Sequence, residues 1–106
     1  MPKYLVQASY TTEGVKGLLK DGGSKRRTAA EAAIKGLGGK LEAFYFAFGD
    51  TDVFAIAEMP DNASATAVSL AVTASGAVRT RITVLLTPEE VDQATKKTVS
   101  YRPPGT

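Results

Sequence analysis

The chain has 106 residues, with 13 Lys and Arg against 11 Asp and Glu for a formal net charge of +2, and contains neither Cys nor His. That length suits one domain with its own hydrophobic core, expected to span residues 1–106 with 99–106 as an irregular tail. Absence of Cys excludes disulfides, thiol nucleophiles and thiolate metal sites, and absence of His excludes imidazole acid–base catalysis and imidazole-ligated metals. That leaves metal binding to carboxylates alone; no cofactor is expected and no metal site is assigned. The balanced charge gives no nucleic-acid footprint, and no stretch resembles a signal peptide or spans a bilayer, so the expectation is a cytoplasmic protein binding neither nucleic acid nor membrane.

Residues 3–10, KYLVQASY, alternate as a strand, with Tyr4, Val6, Ala8 and Tyr10 on one face and Leu5, Gln7 and Ser9 on the other. Thr11 and Thr12 offer hydroxyl caps to a short helix holding Val15, Leu18 and Leu19, which Gly22-Gly23 should end or kink. Ser24 is placed to cap a second helix, Lys25 to Leu37, with Ala30, Ala33, Ile34 and Leu37 at helical spacing before Gly38-Gly39 stops it.

The most ordered signal comes next. From Leu41 to Pro60, two β-branched and aromatic runs flank Gly49-Asp50, which predicts a β-hairpin. Alternation sets Phe44, Phe46, Phe48, Val53, Ala55 and Ala57 on one face, and Ala43, Tyr45, Ala47, Phe54, Ile56 and Glu58 on the other. Both faces are largely apolar, so this pair expects cover on both sides. Asp61 or Asn62 then caps a helix ended by Gly76, with a predicted buried stripe of Ala63, Ala67, Leu70, Ala71 and Ala74. Residues 77–86 predict a last strand, with Val78, Thr80, Ile82, Val84 and Leu86 alternating against Ala77, Arg79, Arg81, Thr83 and Leu85. Thr87-Pro88-Glu89-Glu90 opens a small peripheral helix to about Thr98, and Tyr101 to Pro104 belong to the tail.

This order is the split βαβ pattern of an α+β ferredoxin-like sandwich: βαββαβ, a four-stranded antiparallel sheet, and an extra C-terminal helix. Both main helices should lie on one side of the sheet. The other side would present Tyr45, Phe54, Ile56, Leu5 and Leu85, a patch larger than soluble monomers usually leave exposed. Sheet-to-sheet association into a homodimer or higher oligomer is the main physical expectation, since burial at roughly 25 cal/mol per Å² favours it.

The segments YLVQASYTTEGVKGLLKDGG, GGKLEAFYFAFGDTDVFAIAEMPD and ASGAVRTRITVLLTPEEV resemble the GYD domain family, small bacterial proteins of the dimeric α/β barrel class. The similarity runs from Tyr4 to about Val91. Gly49, Asp50 and Asp52 fit the turn motif of the family, whereas Thr51 stands where that motif has tyrosine. The resemblance implies fold and homodimer, and it brings no settled activity.

Three places carry candidate chemistry. The turn Gly49-Asp50-Thr51-Asp52 holds two carboxylates and a hydroxyl, although turns favour Gly and Asp for backbone reasons alone; Asp52 is the member to test. Ser24, Lys25, Arg26 and Arg27 set cations at a helix start, an anion cradle or simply solvated charge. Gln7, Ser9, Tyr45, Glu58, Arg79 and Arg81 share the bare face, where a dimer would enclose a site for a small organic or anionic ligand, or where Arg–Glu pairs would line an interface. The rival functions are a cofactor-independent oxygenase or isomerase, by fold analogy only, and a ligand-free structural or regulatory assembly protein.

Overall fold

Local chemistry accounts for where each element starts and stops. The computed structural model describes residues 1–47 and 49–106, and among them runs β1 (Lys3–Tyr10), α1 (Thr12–Asp21), α2 (Gly23–Gly36), β2 (Lys40–Phe46), β3 (Val53–Glu58), α3 (Asn62–Ala74), β4 (Val78–Leu85) and α4 (Pro88–Thr95). Phe48, expected in the aromatic row, lies outside the described residues. Thr11 caps α1 by accepting the Gly14 amide, and Asp61 caps α3 by accepting that of Ser64 at 2.7 Å. That amide holds the Asp61 carboxyl below its ordinary range. Thr87 and Glu90 form a reciprocal capping box on α4. Gly22 and Gly76 take positive φ, +81° and +77°, where α1 and α3 turn away.

Two expectations about helix ends are corrected. Ser24 does not cap α2: the N-cap is Gly22, which has no side chain to offer, and Ser24 sits inside the first turn, where its carbonyl accepts from Thr28. The small helix ends at Thr95 rather than Thr98.

The sheet order is β2-β3-β1-β4, with every neighbouring pair antiparallel. Ile34 of α2 and Ala65, Val68 and Val72 of α3 pack on one face of it, against Tyr4, Ala8, Val53, Ala55, Ala57 and Val78. This is the ferredoxin-like α+β arrangement. In β2 the register shifts between Leu41 and Ala43, a bulge that turns Leu41 to the same side as Phe44 and so into the core.

The stripe predicted for α3 is on the wrong face. Ala63, Ala67, Leu70, Ala71 and Ala74 are exposed, Leu70 at 66%, and the helix packs through Ala65, Val68, Ser69 and Val72 instead. Two β-branched valines one turn apart carry the burial. Ser69 joins them because its hydroxyl is satisfied by that of Thr80 on β4, 2.5 Å away.

The start of α1 presses hard on the start of β4. Thr11 donates its amide to Ala77 O at 3.0 Å, and a Cβ built on Gly14 would stand 1.9 Å from that same oxygen. Gly14→Ala is expected to force the two elements apart at a cost of about 2–3 kcal/mol. Urea unfolding at fixed protein concentration reads this as a lower midpoint with unchanged slope.

Beyond Leu85 the chain leaves the body. α4 packs extensively on no other element, and Leu86, Val91, Val99 and Tyr101 are exposed. The radius of gyration is 16.9 Å, where a compact chain of this length has about 13 Å. The molecule exposes 7550 Å², while a compact monomer of 11.1 kDa exposes roughly 5700 Å².

Candidate functional site

The face of the sheet opposite the helices is uncovered, and strand register places its side chains in rows. Tyr45, Phe54, Gln7 and Arg81 form one row across all four strands; Ala43, Ile56, Leu5 and Thr83 form the next. Ser9 stands opposite Arg79. Gln7, Ser9, Arg79 and Arg81 thus make a two-by-two polar block on β1 and β4, beside an apolar band on β2 and β3.

The turn after β2 closes one side of that block. The Ser9 hydroxyl donates to the Asp50 carbonyl at 2.7 Å, and the Thr51 hydroxyl reaches the Gln7 side-chain oxygen at 3.4 Å. The result is a cleft of about 540 Å³ lined by Gln7, Ser9, Asp50, Thr51, Arg79, Thr80 and Arg81. Neither arginine has a carboxylate within ion-pair distance among the described residues. Both guanidinium groups are exposed and keep their donors for a planar anion.

Two of the six residues grouped by sequence stand apart within one chain. Tyr45, 71% exposed, is three strands from Arg81, about 14 Å at the usual strand spacing. Glu58 is four residues along β3 from the Phe54 row, about 13 Å. It belongs to a different cluster, where Lys3 lies 2.8 Å from Glu42 and 3.9 Å from Glu58. The Lys3 ammonium holds the Glu42 carboxyl below its ordinary value, and Glu42 in turn raises Lys3. The interfacial Arg–Glu pairing considered from sequence is therefore absent inside one chain among the described residues.

In the turn motif the carboxylate of Asp52 is already used. Its Oδ2 accepts the Tyr10 amide at 2.8 Å, while its own amide donates to Ala8 O at 2.8 Å, locking the hairpin turn to the end of β1. Asp50 faces the cleft with its side chain exposed, and Gly49 is exposed with φ +146°. Among the described residues no group of three or more carboxylates is placed to hold a metal ion.

The helix-start candidates separate as well. Ser24, Lys25 and Arg27 are exposed along α2, whereas Arg26 turns back toward the sheet, 3.8 Å from Asp21 and beside the Tyr10 phenol. Burial pushes the Tyr10 phenol up, and the Arg26 charge pulls partly against it. Sequence reasoning named Thr51 in the turn motif but did not join it to Gln7 and the arginines in one cleft. Its hydroxyl beside Asp50 was a usable signal, but only the fold of the turn aims it at Gln7.

A ferredoxin-like α+β sandwich with helices on one face, a bare opposite face and a Gly-Asp turn lying over β1 defines the class. The chain belongs to the GYD domain family, whose model matches residues 4–95. No curated protein and no solved structure matches it. Among the described residues no helix is long and apolar enough to cross a membrane.

Proposed function

We propose that the protein is a homo-oligomer paired through its open sheet face, and that the cleft at Arg79 and Arg81 then holds a small organic anion. The observation that carries this reading is the placement of two unpaired arginines directly beside an apolar band that one chain leaves in water. The large apolar side chains left in water on that face, Tyr45 at 71% and Phe54 at 40% exposed, support the pairing half. A two-fold axis parallel to the strands, between β3 and β1, sets β2 of one copy over β4 of the other and brings the partner's Tyr45 to the arginines. That accounts for a tyrosine left exposed and distant within one chain.

The chemistry favours binding over turnover. Arginine guanidinium groups give fixed, planar, always-charged donors, and Gln7 adds its amide NH2, while the Ser9 and Thr51 hydroxyls are used to hold the turn against β1. A nucleophile–base pair is missing from this set, so an oxygenase or isomerase would need the substrate to supply its own reactivity. The projecting C-terminal arm favours a second reading, a structural assembly protein with no ligand.

A thermal-shift titration with acetate, succinate, citrate and phenyl phosphate separates the two. Under the binding reading at least one anion raises the melting temperature of the wild type, and Arg81→Ala removes that rise while changing unliganded stability by less than about 0.5 kcal/mol. If no anion moves the wild type, or Arg81→Ala responds as the wild type does, the ligand half falls and the assembly reading stands.

A further inference from the structure

A second cavity lies on the opposite side of the sheet. α2 packs on β2 and α3 on β4, which leaves a gap between the helices over the middle of the sheet, and the space beneath it measures about 150 Å³. Interiors normally close up to leave few voids larger than a water molecule. This one stays open because the residues around it are short: Ala8 and Ala55 on the floor, Ala30 and Ala33 on the wall made by α2. Ser69 and Thr80 also reach it, but their hydroxyls are spent on each other. The charged end is where β1 finishes, with Tyr10 and Arg26 on the lining. Arg26 Nη1 is 3.8 Å from Asp21, beyond hydrogen-bond reach, so the guanidinium has donors left at the mouth.

We propose that this cavity binds a small amphipathic carboxylate, an aryl or branched-alkyl acid, with its apolar body under Ile34 and Val72 and its carboxylate on Arg26 and the Tyr10 hydroxyl. Size and charge both select that occupant. An apolar cavity of this volume takes a benzene-sized body, about six to ten non-hydrogen atoms, and the Arg26 guanidinium at its opening, paired with Asp21 only at 3.8 Å and without a hydrogen bond to it, selects an acid over its alcohol. The site is independent of the arginine cleft, from which the sheet separates it.

The test is a titration of the full-length protein, methyl-labelled at alanine, with phenylacetate and with the uncharged 2-phenylethanol. Phenylacetate is expected to shift the Ala30, Ala33 and Ala55 methyl resonances, and Arg26→Gln to weaken it about tenfold without affecting the alcohol. Ala30→Leu fills the space and is expected to abolish both titrations without lowering the melting temperature. Should that variant fail to fold, Ala33→Leu fills the same space from the rim. Arg81→Ala leaves the phenylacetate titration unchanged, so failure here is distinct from failure at the sheet face. Unmoved alanine methyls in the wild type, binding that survives Ala30→Leu, or equal affinity for acid and alcohol would each overturn the assignment.

Discussion

Replacing Tyr4 by alanine is expected to cost the fold about 4 kcal/mol and lower the melting temperature by roughly 20 °C. Tyr4 is the largest fully buried side chain, only 2% exposed, on the central strand β1. Its ring packs with Ile34, Ala57, Met59 and Ala65, joining α2, β3 and α3 in one cluster. Its hydroxyl donates to the side-chain oxygen of Asn62 at 2.5 Å, tying the start of α3 to the sheet. Among the described buried residues Ala8, Ala55, Ala57 and Ala65 are small, so little else could collapse into the space the ring leaves. A total stability of about 5–15 kcal/mol makes this a large fraction. Tyr4→Phe separates the two contributions: it keeps the packing and strands one acceptor, for a loss of about 1 kcal/mol. Denaturant melts at fixed protein concentration decide it. A Tyr4→Ala loss below that of Tyr4→Phe would mean that the ring is not central to the core.

Phe54→Glu is expected to break the proposed sheet pairing and leave single chains of 11.1 kDa while keeping the circular dichroism of the helices intact. Phe54 is 40% exposed on the bare face, between Tyr45 and Gln7 in its row. Under the proposed two-fold, position 54 meets the Gln7 row position of the second copy rather than an arginine, which stands over Tyr45 one strand aside. Lys3 is engaged by Glu42, so the new carboxylate leaves water with no cation directly opposite. Leaving a charge buried and unpaired costs several kcal/mol, enough to shift association by two or more orders of magnitude. Sedimentation equilibrium reads the outcome. A wild type that already sediments as one chain would remove the sheet-pairing proposal, and a Phe54→Glu variant of unchanged mass would place the contact elsewhere.

The order of strands and helices was legible because each element carries its own period and punctuation. Tyr4, Val6 and Ala8 alternate cleanly, Thr11, Asp61 and Thr87 each cap the helix that begins beside them, and Gly22 and Gly76 each end the helix before them. The buried face of α3 was not legible, because alanines at 63, 65, 67, 71 and 74 fall on both sides of the helix and give no direction. Val68 and Val72 and the Ser69–Thr80 pair decide it, the last a contact between elements that no local pattern encodes. The inward turn of Leu41 is hidden for a similar reason, since a bulge reverses the alternation and leaves no mark of its own in the residues. At the bare face, alternation correctly put Gln7, Ser9, Tyr45, Glu58, Arg79 and Arg81 on one side. It has no information about strand order or register, and strand order parts Tyr45 from the arginines while position along β3 parts Glu58. The cavity between α2 and α3 depends on how far apart two helices dock, which is settled only when the whole chain has folded.

Only Leu86 and Thr87 lie between the end of β4 and the first turn of α4. Eight residues are too few to hold a helix in water unaided, even with the reciprocal bonds of Thr87 and Glu90 at its start. In a single chain this helix is therefore expected to fray while the sheet stays paired. Because only two residues join them, fraying of α4 stops at the strand that bears Arg79 and Arg81, which β1 holds along its whole length.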